Sequence, residues 1–367
     1  MGKVGNLAEH HIAELVATNA ISVSRALDAD QIQPASLDLR LGEIAYRVRA
    51  SFLPGPQRSV MDRLQSIKLH EIDLREGAVL EVGCVYIIPL LEQFKLPKGM
   101  TASSSPKSST GRLDVFTRVI ADRAREFDKV PEAYEGPLYI EVSPRTFPVV
   151  VRTGSRLSQI RFRTGDTILS DSALQALHDS ETLVASSTPY IQNGISLSID
   201  LKGGEGGLVG YRGKRHTGVI DVDKKAQHDV RDFWEPIYAR GSGPEVGSII
   251  LDPDQFYILA SNEAVHVPPD YAAEMVPFDP LVGEFRVHYA GFFDPGFGHS
   301  AAGGTGSRAV LEVRSHEVPF ILEHGQNIGR LVYEQMLERP KTLYGEIATS
   351  NYQGQGLKLS KHFKLPE

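Results

Sequence analysis

The sequence predicts a mainly β protein, two tandem distorted β-barrels with few short helices. Short runs rich in Val, Ile, Tyr and Phe alternate with Gly, Pro, Asp and Asn at the spacing of an all-β sandwich or barrel. Two segments also repeat at one shared displacement of 171 positions (86 to 257 and 141 to 312). Val85-Tyr86-Ile87-Ile88 pairs with Phe256-Tyr257-Ile258-Leu259, and Leu138-Tyr139-Ile140-Glu141-Val142 pairs with Ala309-Val310-Leu311-Glu312-Val313. A looser echo, at another offset, links Ser36–Arg40 with Ser198–Lys202.

Along the chain, Leu7, Ile12, Leu15 and Val16 form a rough apolar stripe and predict an amino-terminal helix. A first domain spans 1–170 and carries an anion cradle. Ser105 is read as the N-cap and Pro106 as the first position of a short helix. Lys107, Ser108, Ser109 and Arg112 then converge where an anion would bind. Leu138, Ile140 and Val142 share one face of a strand, so Glu141 points away from its own core toward a cleft or a neighbour. Asp171 to His178 reads as a linker helix, followed by a second, degenerate domain over 190–340 and a tail over 341–367. The glycine-rich stretches 203–210 and 301–306 read as turns or mobile loops. The first has a dinucleotide-like spacing, but Tyr211-Arg212-Gly213-Lys214-Arg215 follows it rather than an amphipathic helix.

Composition narrows the function. A chain of 367 residues can bury two cores. No apolar stretch approaches the roughly 20 residues of a membrane span, and Met1–Gly5 lacks a signal core, so a cytoplasmic address is expected. A net charge of −7 argues against nucleic acid as partner. It leaves room for a small anion at Lys107, Arg112, Arg123 and Arg125. Cys84 is the single cysteine, so the His/Cys set of zinc nucleobase deaminases cannot be assembled. The twelve histidines show no His-x-x-x-His or His-Glu-x-x-His pattern, and no protein-held metal is expected.

Three segments carry a family likeness: Ile32-Gln33-Pro34-Ala35-Ser36-Leu37-Asp38-Leu39-Arg40-Leu41-Gly42, Lys107-Ser108-Ser109-Thr110-Gly111-Arg112-Leu113, and Gly136-Pro137-Leu138-Tyr139-Ile140-Glu141-Val142. With the tail Asn351-Tyr352-Gln353-Gly354-Gln355-Gly356, they resemble the deoxycytidine triphosphate deaminases of the dUTPase-like superfamily. The resemblance implies distorted β-barrels assembled as homo-oligomers, usually trimers, with active sites between subunits. It implies Glu141, Ser108 and Arg112 as catalytic groups, and Ala121 as the position whose backbone holds the reacting water. Lys107, Ser109, Arg123, Tyr352 and Gln355 would handle phosphates or close the lid, and Asp128 would contact the sugar. dCTP and dUTP are the implied ligands, with Mg²⁺ carried by the triphosphate.

The sequence departs from the family at two places. The Asp-Pro-Gly-Phe turn is missing from the first copy, which has Phe127-Asp128-Lys129-Val130-Pro131, and appears in the second as Asp294-Pro295-Gly296-Phe297. Conversely, Ser108 and Arg112 align with Asp279 and Gly283, so the second copy lacks the cradle. Either Glu141 serves the first copy's cradle, the favoured assignment, or one composite site joins that cradle to Glu312 and Asp294.

The chemistry needs few groups. Hydrolytic deamination at C4 of cytosine requires an activated water and protons for the ring nitrogen and the departing ammonia. One carboxylate can shuttle both, contributing roughly 10²–10⁴-fold. Oriented hydroxyl, guanidinium and backbone groups supply the rest. The leading expectation is zinc-independent conversion of dCTP to dUTP and ammonia. A dUTPase, or an enzyme performing both steps to dUMP and pyrophosphate, is the neighbouring alternative. A catalytically silent nucleotide-binding scaffold is the third.

Overall fold

The computed structural model describes residues 3–186, 188–204, 206–239, 247–277, 285–288, 291–315, 317–347 and 350–364. The protein is mainly β, with short helices of at most ten residues, and its strands form small sheets. In the first copy, strand Glu135–Pro144 lies between Val115–Ala121 and Val85–Lys95, and a second sheet pairs Arg156–Thr164 with both Met100–Pro106 and Ser36–Arg40. In the second copy, strand Ser307–Ser315 lies between Phe256–Val265 and Phe285–His288, and Asn327–Gln335 lies between Ile195–Ser198 and Tyr271–Pro277.

On one side of each strand the register keeps the 171-residue displacement, and on the other it slips by one residue. Glu141 stands opposite Ile87 and Arg118; Glu312 stands opposite Ile258 and His288. The two carboxylates therefore occupy corresponding central-strand positions. What differs is the residue across from each.

Two large buried apolar clusters lie around Leu37, Ile140 and Phe162 and around Leu259, Leu311 and Tyr333, and a small third joins Ala8, Ala35, Ala272 and Met336. The first extends beyond its own copy and takes in Phe233, Trp234, Phe256 and Phe363. The Trp234 ring meets Phe147 at 5.2 Å and Phe363 at 5.9 Å, both edge-on. Strand Val149–Val151 pairs in parallel with Ile220–Asp221. Aromatic packing and a shared sheet thus fix the copies, and the tail, against each other.

The amino-terminal helix runs Glu9–Ala17 and buries Ile12 and Leu15, as the apolar stripe requires. The linker helix runs Asp171–Ser180, with Ser170 accepting from the Ala173 N–H. Helix Val60–Ile67, which the sequence reading does not anticipate, opens on a capping box in which Ser59 and Asp62 satisfy each other's backbone N–H. Of the glycine-rich stretches, the first leads into strand Leu208–Gly213, and the second includes the 3₁₀ turn Ser300–Ala302.

The helix start is a correction. Ser105 and Pro106 close strand Met100–Pro106, and the following helix, Ser108–Gly111, is only four residues long. Pro106 has no N–H to donate and sits at the strand end, where none is required. Lys107 takes the cap position without a side-chain cap bond. The cradle is therefore a tight turn rather than a helix terminus.

Candidate active site

The turn after Pro106 is pinned by its backbone. The Lys107 N–H donates to Leu157 O, while Thr110 and Gly111 donate back to Lys107 O. This carries Arg112, 3% exposed, into a cavity of about 390 Å³ lined by both copies and by the tail. Its Nη1 donates to Gln355 Oε1 at 3.0 Å and to Lys358 O at 2.9 Å. Its guanidinium carbon lies 3.9 Å from the Tyr352 ring centroid. Its Nε has no hydrogen-bond partner among the described residues and faces Glu312 Oε1 at 3.8 Å.

Glu312 comes from strand Ser307–Ser315 of the second copy. Burial pushes its carboxyl up to about 8, against the opposing pull of Arg112. Asp294 enters the same cavity from the Asp294–Phe297 turn, where Arg161 Nη2 holds Oδ1 at 2.9 Å. Gly296 makes that turn possible. Its φ is +95°, and a Cβ there would meet Leu343 Cβ at 2.8 Å and Tyr344 O at 2.9 Å.

The cavity also gathers Lys107, Arg156, Lys225 and Lys361 beside the carboxylates of Asp28, Asp30, Asp38 and Asp223. Lys107 pairs with Asp38, and Arg156 reaches Asp30 at 2.6 Å and Asp38 at 3.4 Å. Burial, then the neighbouring cations Lys107 and Lys225, bring the Lys361 ammonium down to about 8. A half-buried ammonium crowded by other cations is suited to an incoming anion.

The tail closes this space. Gln355 accepts from Arg112 and donates to Arg308 O at 2.9 Å. Ser360 Oγ donates to Ser109 O at 2.8 Å, and His362 Nε2 meets Val222 O at 2.9 Å. Tyr352 is buried against Arg112 rather than frayed. The structure thus brings Lys107, Ser108, Ser109, Arg112, Tyr352 and Gln355 together with Asp294 and Glu312.

The other expected residues lie elsewhere. Glu141 does not point into a cleft: its strand is central, and the residues on both its faces are buried. Its Oε1 accepts from Arg118 at 2.7 and 3.2 Å, and Oε2 is buried without a partner among the described residues. The Arg118 guanidinium also covers the Phe127 ring at 3.6 Å. Asp128 is engaged by Ser104 Oγ at 2.5 Å and the Val119 N–H at 2.8 Å, and burial raises it to about 6. Ala121 is in register with Leu138, and Arg123 lines a separate cleft beside Arg125, Lys129 and Arg163. Asp279 and Gly283 lie outside the described residues.

Sequence reasoning passed over Arg156, Lys225, Lys361 and Phe292, all of which line the cavity. One signal was present. The 171-residue displacement carries Ala121 to Phe292 and Arg123 to Asp294, both in the wall. Nothing local marks the three cations.

Known proteins point the same way. Residues 3–166 match the family model of the 2'-deoxycytidine 5'-triphosphate deaminase (DCD) N-terminal domain, and 170–363 match that of the C-terminal domain. The chain is 26% identical over 166 residues to the dCTP deaminase, dUMP-forming, of Methanobrevibacter smithii, covering 44% of this chain and 81% of that protein. It is 29% identical over 160 residues to the dCTP deaminase of Halorubrum lacusprofundi, covering 42% and 75%. The crystal structure of 2'-deoxycytidine 5'-triphosphate deaminase from Agrobacterium tumefaciens superposes with a TM-score of 0.89 at 68% identity, covering 94% of this chain and 99% of that one.

Proposed function

The chain belongs to the 2'-deoxycytidine 5'-triphosphate deaminase family, and from that premise we propose that one composite pocket converts dCTP to dUTP and ammonia without zinc. The observation that carries the proposal is the meeting of the first copy's Ser108 and Arg112 with the second copy's Asp294 and Glu312 under the tail. The family resemblance implies sites between subunits. Here both halves are supplied by one chain, whatever homo-oligomer it enters.

The cations Lys107, Arg156, Lys225 and Lys361 take the triphosphate. That places the sugar near Asp294 and the base near Arg112 and Glu312. Glu312, as carboxylate, takes a proton from the attacking water as oxygen bonds to C4, and hands it to the ring nitrogen. The hydroxyl proton of the tetrahedral intermediate then passes to the amine, the C4–N bond breaks, and ammonia leaves. Arg112 and Ser108 orient the reacting groups within a pocket the tail shields from bulk water. Glu141, already engaged by Arg118, takes no part.

Mg²⁺ bound by the triphosphate would neutralise phosphate charge. Asp38, whose Oδ1 is buried without a partner among the described residues, and Asp30 are among the carboxylates that would face it or its waters. Among the described residues no histidine or cysteine lines the cavity, so its donors do not suit a protein-held zinc.

Incubation with dCTP and Mg²⁺ tests the reaction directly. Ammonia and dUTP without pyrophosphate are expected, and turnover persists in a zinc chelator. The second reading, continued hydrolysis to dUMP, draws on the dUMP-forming name of five relatives, the Methanobrevibacter smithii protein among them. Pyrophosphate released in step with ammonia would replace the first reading with that one.

A further inference from the structure

Arg161 is wholly buried, belongs to the first copy and sits outside the cavity, yet most of its hydrogen-bonding capacity is spent on the second. Nη1 donates to Ala273 O at 2.9 Å, and Nη2 donates to Phe293 O and Asp294 Oδ1, both at 2.9 Å. Its guanidinium carbon lies 4.1 Å from the Phe292 ring centroid. Ala273 and Phe293 are themselves in register across the strand pair that ends at Asp294. One fork thus spans both strands and the first side chain of the turn.

Two other acids stand near Arg161 without a hydrogen bond from it. Glu334 Oε1 accepts from Thr167 at 2.7 Å and pairs with Arg163 at 3.1 Å, while its Oε2 lies 3.9 Å from Arg161. The other is Glu274, which burial raises against the pull of Arg161. Asp294 is therefore the carboxylate Arg161 contacts directly. Binding one carboxylate oxygen fixes the rotamer, so that the other oxygen can accept from a ligand hydroxyl.

We propose that Arg161 is a positioning residue that aims Asp294 at a sugar hydroxyl of the bound nucleotide, so that the first copy sets the sugar contact made by the second. This rests on the composite pocket. A lysine at 161 keeps the charge but cannot form the three-point fork.

The test is a double-mutant cycle read by dCTP binding in the presence of Mg²⁺, with thermal melting to confirm folding. Arg161→Lys is expected to weaken binding about tenfold and to raise KM with little change in kcat. Asp294→Asn weakens binding comparably, and the double variant should bind no worse than Asp294→Asn alone. Losses that multiply, or an Arg161→Lys protein that binds like the parent, would overturn the role. Should Arg161→Lys not fold, Arg161→Gln carries the same cycle with the same expectations. Turnover of dCTP by the parent protein reports separately on the deaminase reading.

Discussion

Arg112 Nε and Glu312 Oε1 stand 3.8 Å apart although the two residues come from different copies of the repeat. The first copy's own carboxylate, Glu141, is instead held at 2.7 Å by Arg118. Corresponding glutamates have thus acquired different neighbours. One faces a cavity through a guanidinium whose Nε has no hydrogen-bond partner among the described residues; the other is closed off by an ion pair. The chemistry follows that difference.

Burial raises Glu312 to about 8 in the unliganded protein. The base form therefore accumulates only as pH rises. The expected result is a kcat/KM for dCTP that climbs between about pH 6 and 8. The stability linkage has the opposite sense. A raised folded-state pKa contributes stability that is fully present below the ordinary value near 4.5 and lost as pH rises to about 8. Glu312→Gln should abolish that loss in melts of the unliganded protein, and an unchanged pH dependence would count against the assignment.

Lys361 is lowered to about 8, so a triphosphate that raises it again should draw a proton from solution. Calorimetry of dCTP binding near pH 8 in buffers of different ionisation enthalpy is expected to show net proton uptake. In Lys361→Gln the uptake should shrink and dCTP affinity should fall about tenfold, with a much smaller effect on deoxycytidine. Equal losses for both ligands would place the lysine away from the phosphates.

Removing Arg118 leaves the Glu141 carboxylate buried without its cation. Arg118→Leu is expected to destabilise the fold by on the order of 3 kcal/mol, measured by denaturant unfolding. Turnover per folded molecule should be nearly unchanged. A large drop in kcat at full folding would return Glu141 to the reaction.

Tyr352 holds the tail to Arg112 through a ring contact of 3.9 Å. Cation–π contacts contribute on the order of 1–2 kcal/mol when desolvated. Tyr352→Leu should therefore weaken dCTP binding several-fold while leaving the apolar packing of the tail largely intact. Equilibrium binding checks this directly.

The repeat, the mainly β class and the Lys107–Arg112 segment were legible because each is written in local residue types at fixed intervals. The identity of the working glutamate was not. Strand alternation shows which face a side chain takes, but not which sheet or tail covers that face. Glu141 and Glu312 have the same local pattern, and only long-range pairing gives one Arg118 and the other Arg112. Lys361 was hidden for a related reason: a lysine near a chain end reads as solvated until the tail is seen to pack on Phe233 and Trp234. Asp294 was marked by its turn, but Arg161, which holds it, lies in a strand of the other copy.

The most direct test compares steady-state ammonia release from dCTP by Glu312→Gln and Glu141→Gln, each with dCTP binding measured alongside. The composite pocket predicts that Glu312→Gln still binds but loses at least roughly 10²-fold in kcat, while Glu141→Gln keeps activity within a few-fold of the parent. The reverse pattern, an active Glu312→Gln beside an inert but folded Glu141→Gln, would contradict it.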